Sequence, residues 1–331
     1  MSKPISVVTG GAGFIGSHAV DLLLSEGYQV RVIDNFSGGH KKNLKQHEEN
    51  PNLIIFEDDI RSLSCNSSIF KGAKFVFHFA GIGDIVPSIE YPKDYLSVNV
   101  QGTVNVLECS RAAGVKKFVY AASSSCYGIA DTPTTEKHLI QPQYPYALSK
   151  FQGEQACLHW EKVYKLPVNS IRIFNAYGPR VRTTGAYGAV FGVFLKQKLS
   201  KKPLTVVGNG SQKRDFIFVT DVARAFYEVA QSKETGKIYN LGAANPQSIN
   251  YLVELIGGKV VYLPERPGEP EVTWADISLI KSETNWQPKV SFEKGVNIML
   301  EDIKKWEDAP LWDPKSIEKA KEIWFRYLKK K

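Results

Sequence analysis

The tightest constraint on this chain lies in residues 5–34. An apolar, β-branched run, Ile5-Ser6-Val7-Val8-Thr9, leads into glycines at 10, 13 and 16. Apolar residues then recur at helical spacing, at Ile15, Ala19, Leu22 and Leu23. The run reads as a buried parallel strand and the spacing as a helix packed on it. Each glycine has a physical task. Gly10 makes the tight strand-to-helix turn, Gly13 lets the backbone approach a pyrophosphate, and Gly16 lets the helix lie close to the strand. The helix N-terminus offers free N–H groups and partial positive charge to phosphate. A second strand, Gln29 to Ile33, ends in Asp34. A carboxylate about 20 residues beyond such glycines binds the adenosine ribose hydroxyls. Its charge repels a 2′-phosphate, so the unit implies NAD rather than NADP.

A second constellation lies further on. Tyr146 and Lys150 in Tyr146-Ala147-Leu148-Ser149-Lys150 are four apart and share one face of a helix. Pro142 and Pro145 suit the start of that helix. An isolated tyrosine titrates near pH 10, too high for a base at neutral pH. A neighbouring ammonium and a positive nicotinamide ring both favour the phenolate. Lys117 to Ala122 reads as a strand, and Ser123-Ser124-Ser125 lies just past it. Open α/β sheets place their ligands there. A serine hydroxyl in that position hydrogen-bonds a substrate oxygen and relays its proton, or it satisfies local backbone groups at a strand end. Both readings stand for Ser123 and Ser125.

With these motifs in place the chain resembles the extended short-chain dehydrogenase/reductase family, in particular its nucleotide-sugar epimerases and dehydratases. The resemblance runs from about residue 4 to about residue 306. It includes Asp59-Ile60-Arg61, His78-Phe79-Ala80-Gly81, Asn99-Val100-Gln101-Gly102-Thr103 and Arg172-Ile173-Phe174-Asn175-Ala176-Tyr177-Gly178-Pro179-Arg180. Arg214-Asp215-Phe216-Ile217-Phe218-Val219, Arg266-Pro267-Gly268-Glu269 and Asn285-Trp286-Gln287-Pro288 complete it. It implies an α/β fold with a Rossmann-type doubly wound parallel sheet and a smaller, interleaved C-terminal substrate lobe. Residues 1–180 would form the NAD-binding domain, with the chain returning near 214–245. Residues 181–306 would form mainly the lobe and 307–331 a helical tail. Beyond the three glycines and Asp34, it implies NAD contacts at Phe14, Ile15, Asn35, Ser37, Gly38, Asp59, Ile60, Phe79, Ala80, Gly81, Tyr146, Lys150 and Phe174.

In this family the tyrosine takes the proton of a sugar hydroxyl, usually at C4, while that carbon gives its hydride to NAD. Dehydratases similar to this chain carry carboxylates in the turn after the strand, and related decarboxylases carry a glutamate there. Here Ser123, Ser124 and Ser125 occupy those positions, followed by Cys126-Tyr127-Gly128. Serine is a poor acid or base at neutral pH, so elimination lacks its machinery. The resemblance therefore implies a 4-epimerase, with Ser123, Ser124, Tyr146 and Lys150 as catalytic residues. A 4-dehydrogenase, a 4,6-dehydratase, an epimerase at another carbon and a dinucleotide-sensing binding protein are the alternatives. Cys126 lies one residue too close to Tyr127 to match the cysteine of 3,5-epimerases and reads as a buried thiol.

The implied substrate is a nucleotide sugar, whose diphosphate calls for cations. Arg214 and Arg266 match diphosphate or nucleotide positions, Glu269 a ribose position and Asn175 the phosphate–sugar junction. Ser125, Val190, Thr205 and Val207 complete the implied substrate contacts. Thr273 stands where glucose/galactose-restricted relatives have a bulky tyrosine, which leaves room for an N-acetyl group at C2. Asp84 lies in a loop that lines the sugar pocket in relatives. Its carboxylate either binds sugar hydroxyls or an amine, and repels a uronic acid, or it caps the following helix. Arg180 and Arg182 are further candidates for the pocket.

The net charge of +8 suits an anionic substrate but is not clustered as a nucleic-acid footprint would be. No apolar run reaches membrane-spanning length. The four cysteines, Cys65, Cys109, Cys126 and Cys157, lack metal-ligand spacing, so no metal is expected. They read as free thiols in a reducing cytoplasm. The resemblance implies a homodimer formed through the helices at Val100 to Ala113 and Pro145 to Tyr164. Past the family core, Trp306, Trp312, Ile317, Ala320, Trp324, Tyr327 and Leu328 lie at or near helical spacing, with Asp313-Pro314 as a start signal. That segment packs on its own subunit or serves a partner contact.

Overall fold

The computed structural model describes residues 3–65, 68–181, 190–265 and 269–312, with 322, 326 and 327 in the tail. The first half alternates strand and helix. In order come β1 (Ile5–Thr9), α1 (Phe14–Ser25), β2 (Gln29–Ile33), β3 (Leu53–Phe56), β4 (Ala73–His78), α2 (Ile85–Glu90), α3 (Pro92–Leu96), α4 (Thr103–Ala112), β5 (Lys117–Ser123) and α5 (Pro145–Tyr164). Then follow β6 (Val168–Ile173), β7 (Asn175–Tyr177), α6 (Val190–Leu199), β8 (Leu204–Val207), β9 (Lys213–Arg214), β10 (Phe216–Phe218), α7 (Val219–Gln231) and β11 (Lys237–Leu241). The last elements are β12 (Gln247–Ser248), α8 (Ile249–Ile256), β13 (Val260–Leu263), α9 (Ser278–Glu283) and α10 (Phe292–Glu301).

Seven parallel strands form one sheet in the order β11-β6-β5-β4-β1-β2-β3. The order reverses between β1 and β4, which opens a crevice at the carboxyl ends of those strands. Alternate side chains serve opposite faces. Val8, Val30, Phe75, Phe77 and Val119 pack under α1 and α7 through Val20, Leu23, Val222 and Phe226. Val7, Val76, Phe118 and Tyr120 pack under α4 and α5 through Val106, Leu107 and Cys157. Such two-sided burial is why these strands read as continuous apolar runs.

The lobe has its own core. Phe191, Phe194 and Leu195 of α6 meet Leu252 and Ile256 of α8, Phe292 and Val296 of α10, and the buried Trp306. Small paired strands link it to the sheet: β7 with β10, β9 with β12, and β8 with β13. Trp306 thus packs on its own chain, while Ile317, Ala320, Trp324 and Leu328 lie outside the described residues.

The expectation of four free thiols is corrected. Cys65 and Cys109 form a disulfide, with their Cα atoms 4.3 Å apart. The pair is separated by 44 residues, and only the packing of α4 beside the segment after β3 brings them together. Cys126 and Cys157 are free and buried. Among the described residues no helix is long and apolar enough to cross a membrane, and no cluster of metal ligands occurs.

Candidate active site

The glycine turn sits at the crevice. Gly10 has φ +68°, and a Cβ there would fall 2.7 Å from the backbone N of Ala80. A side chain is therefore barred both by backbone conformation and by the segment following β4. A Cβ on Gly16 would fall 2.1 Å from the Gly10 carbonyl oxygen, so α1 starts in contact with the turn. Gly13 is the N-cap of α1, ahead of Phe14 and Ile15. The first-turn N–H groups have no intrahelical partner and carry the positive end of the helix dipole.

Asp34 lies buried at the end of β2. Its carboxylate accepts the N–H groups of Ala12 and Phe36, each at 2.9 Å, which ties the acid to the glycine turn. Burial raises its pKa, and those two N–H bonds oppose the rise. Asn35 donates to Asp59 at 3.1 Å and accepts from Ser37. Arg61 grips Asp59 and holds its carboxyl down to about 2. Ile60 packs under Gly102, and Gly38 stands in open space. The Phe79 ring rests on Phe226 at 4.5 Å, and Phe174 N–H donates to Leu241. Together they form a cradle that fits a dinucleotide: a side-chain-free turn, a helix N-terminus and a buried acid at the next strand end.

The catalytic candidates converge beside it. Ser123, the last residue of β5, accepts the Ser125 N–H at 3.2 Å, which satisfies a backbone group at the strand end. It also lies close enough to the Tyr146 phenol to oppose the rise in its pKa. Ser124 is half-buried on the following turn, and Ser125 lies close enough to Tyr144 to oppose the rise that burial causes in its pKa. The Tyr144 and Tyr146 rings stack at 6.4 Å. Lys150 lies one turn along α5, its Nζ 4.5 Å from the centre of the Tyr120 ring and near the backbone of Gly81. Burial lowers its pKa to about 8, opposed by Cys157 and Glu154. Burial also raises Tyr146; Ser123 lowers it, and Asp84 and Cys126 raise it further. In the protein alone the phenol therefore moves upward, and the pull expected from a bound nicotinamide ring would act against that burial. Desolvation of the ring outweighs the help it receives.

Several supports were not legible beforehand. Residues 97–102 form a π-turn, and Asn99 within it clamps the loop after β4. Its Oδ1 accepts from Ile82 N–H at 2.8 Å, and its Nδ2 donates to the Ile82 carbonyl at 3.0 Å and to Ser149 Oγ at 2.9 Å. The motif 99–103 marked the place but not the task. His78 bridges Thr9 at 2.6 Å and Thr103 at 2.9 Å. Thr103 spends its proton on the Asn99 carbonyl, so His78 Nε2 donates and Nδ1 accepts. Burial holds this imidazole neutral, with a pKa of about 3. Below the serine turn, Arg172 pairs with Glu154 at 2.6 Å, both nearly inaccessible. Arg172 also donates to Tyr127 Oη, which donates to Asn240.

On the lobe side, Thr273 Oγ1 donates to Asn175 Oδ1 at 2.7 Å and accepts Asp215 N–H. Arg214 faces Glu269 at 3.5 Å and donates to the Pro270 carbonyl. Glu269 lies close enough to Tyr144 for its charge to act on that phenol. Asp215 is buried and accepts N–H groups from Ala243, Ala244, Asn245 and Ala275. Val190 opens α6 and Val207 closes β8. Thr205 is turned to its own lobe, where Gln197 bonds both its N–H and its hydroxyl. Arg180 turns to α1 and pairs with Asp21 at 2.8 Å. Arg182 and Arg266 lie outside the described residues. Asp84 precedes α2 but makes no side-chain cap bond to it, so the capping alternative falls.

The doubly wound sheet, the cradle at its switch point and the serine–tyrosine–lysine cluster define a dinucleotide-dependent α/β enzyme. Residues 6–242 match the NAD dependent epimerase/dehydratase family, and the chain belongs to it. NAD is accordingly its cofactor. The chain is 34% identical over 299 residues to a putative UDP-glucose 4-epimerase of Methanocaldococcus jannaschii, covering 88% of this chain and 95% of that one. It is 34% identical over 333 residues to a UDP-glucuronate 4-epimerase of Thermodesulfobacterium geofontis, covering 96% and 98%. The crystal structure of UDP-glucuronic acid 4-epimerase from Bacillus cereus, in complex with UDP-glucuronic acid and NAD, matches with a TM-score of 0.84. That protein is 31% identical, over 91% of this chain and 99% of its own.

Proposed function

We propose that this protein is an NAD-dependent nucleotide-sugar 4-epimerase acting on a UDP-hexose or UDP-N-acetylhexosamine through a transient 4-keto sugar. The observation that carries the reading is the turn after β5. It holds Ser123, Ser124 and Ser125 and no carboxylate, and Ser123 lies close enough to Tyr146 to act on its pKa. Loss of water across C5 and C6 needs an acid and a base beside the ring, which this turn does not supply.

Tyr146 takes the C4 hydroxyl proton, with Ser123 as its relay and Ser124 beside it. Bound NAD supplies the hydride acceptor and a positive ring that favours the Tyr146 phenolate. Lys150 holds the site's positive charge and borders Gly81 on the cofactor side. Arg214 and Arg266 hold the diphosphate, Glu269 the nucleotide ribose, and Asn175 the junction to the sugar. Val190 and Val207 form the nucleotide wall, and Ser125 borders the sugar; Thr205, engaged with Gln197, is left out of it. Thr273, short and turned toward Asn175, leaves space for an acetamido group at C2. With the nucleotide anchored, the keto sugar turns over and is reduced on its other face. The working unit is a homodimer through α4 and α5.

The test is a panel of nucleotide sugars incubated with the purified protein and NAD, read by mass and proton NMR. A product of unchanged mass with an inverted centre is expected. Loss of one water would make it a dehydratase, and loss of two hydrogens with accumulating NADH a dehydrogenase. Rejection of every C2-acetamido sugar alongside conversion of plain hexoses would refute the role given to Thr273.

A further inference from the structure

We infer that Tyr127 is a positioning residue for the proposed reaction: its hydroxyl, held between Arg172 and Asn240, sets the serine turn against the tyrosine helix. The inference rests on the epimerase reading of Ser123 and Tyr146.

Tyr146, Lys150 and Glu154 follow at four-residue intervals and so share one stripe of α5. The stripe is tied to the sheet below Tyr146. The Tyr120 hydroxyl of β5 donates to the Lys150 carbonyl at 3.2 Å. Glu154 reaches β6, where it accepts Ser170 Oγ at 2.9 Å, Arg172 Nε at 3.0 Å and Arg172 Nη2 at 2.6 Å. The remaining guanidinium nitrogen, Nη1, donates to Tyr127 Oη at 2.8 Å. One edge of a rigid planar fork thus grips the helix that carries Tyr146, and the other grips the turn that follows Ser123.

Tyr127 closes that turn, which spans Ser124–Tyr127. Its side chain is buried, and its hydroxyl uses both of its functions. It accepts from Arg172 and donates to Asn240 Oδ1 at 2.7 Å. A hydroxyl with donor and acceptor both committed in a dry site has one orientation. The Arg172 guanidinium also lies over the ring, 4.8 Å from its centre. At the other end of the turn Ser123 Oγ accepts the Ser125 N–H, so four residues are pinned at both ends. Asn240 continues the chain of bonds. Its Nδ2 donates to the Thr134 carbonyl at 2.9 Å, and Thr134 N–H donates at 2.7 Å to the carbonyl of Trp274, the neighbour of Thr273. The Tyr127 hydroxyl is therefore the junction between the tyrosine helix, the serine turn and the strand of the pocket that bears Thr273. It reaches the chemistry through where it puts Ser123, and a relay misplaced by about 1 Å costs up to about 10²-fold in rate.

The experiment is a double-mutant cycle in the full chain with NAD, on UDP-glucose and UDP-N-acetylglucosamine, with product read by proton NMR. Tyr127→Phe keeps the ring and removes the hydroxyl. It is expected to lower kcat about 10–100-fold with KM within about twofold of wild type. In a Ser123→Ala background the same change is expected to lower kcat by less than about threefold, because the group it places is gone. Thermal melts check that each variant is folded. Asn240→Ala, which removes the acceptor of the same hydroxyl, carries the cycle if the phenylalanine variant folds poorly. Equal factors in the two backgrounds, an unchanged kcat, or an effect confined to KM would overturn the positioning role and leave the epimerase reading standing. Conversion of neither sugar by the wild type removes the epimerase reading and the positioning role with it.

Discussion

Gly10→Ala and Gly27→Ala separate two reasons for a glycine. Gly10 has φ +68° and Gly27 φ +84°, so alanine is forced into the left-handed region at either position. That costs about 1–2 kcal/mol. Around Gly27 a Cβ meets nothing within 4 Å, so the conformational cost stands alone there. At Gly10 the Cβ falls 2.7 Å from Ala80 N and 2.8 Å from Ala80 Cα, both backbone atoms that cannot swing aside. Forcing such a contact apart adds about 1–3 kcal/mol. Urea unfolding should therefore place Gly27→Ala about 1–2 kcal/mol below wild type and Gly10→Ala roughly 2–5 kcal/mol below it. The displaced atoms also carry the dinucleotide cradle. NAD affinity, measured by calorimetry on the folded variants, should fall about tenfold or more in Gly10→Ala, a loss of about 1.4 kcal/mol. It should be unchanged in Gly27→Ala. If Gly10→Ala bound NAD like wild type and unfolded no earlier than Gly27→Ala, the close approach would have no energetic meaning.

Tyr146→Phe should lower turnover about 10²–10⁴-fold while NAD binding persists, as followed by calorimetry and NMR of product. Glu154→Gln leaves the Arg172 guanidinium buried without its anion and should cost about 3–5 kcal/mol in urea unfolding, whereas replacing both partners with apolar residues should cost far less. His18 and His78 have folded pKa values of about 4 and about 3, below the ordinary 6.5. Their stabilising contribution is complete above pH 6.5 and is lost as pH falls toward those values, because only the unfolded state gains the proton. NMR titration should find both rings neutral at pH 5. Thiol counting in denaturant without reductant should give two groups, Cys126 and Cys157, rising to four after reduction. The 44-residue separation predicts that reduction costs about 4 kcal/mol.

The cradle was legible because its demands are local. A turn at positive φ, a helix start and an acid at a strand end each leave a mark within a few residues. The limits of β1 and β2 and the start of α5 fell where the apolar runs and Pro145 set them. Features that depend on residues far apart in the chain left no such mark. Cys65 and Cys109 carry no recognisable spacing. Arg172 and Glu154 meet only when α5 packs on β6. Asn99 looks like an ordinary helix-start asparagine until the π-turn aims its amide at Ile82. The burial that raises Tyr146 left no mark for a related reason. Residue types indicate which charges stand nearby, whereas burial is a property of the assembled pocket. Thr205 shows the converse limit, since the resemblance implied a substrate contact there, whereas its engagement with Gln197 depends on a side chain from another element.

Asp215 gives the lobe an attachment that does not depend on the identity of what it holds. Its carboxylate takes main-chain N–H groups from 243, 244, 245 and 275, and these are offered by any residue except proline. Gly242 is constrained by space, because a Cβ there would fall 2.3 Å from the acid and 2.8 Å from the Cβ of Ala275. The segments at 243–245 and at 275 are thus docked at one point through backbone groups and not through particular side chains. One buried acid ties together stretches of chain that lie 30 residues apart in sequence, from 245 to 275.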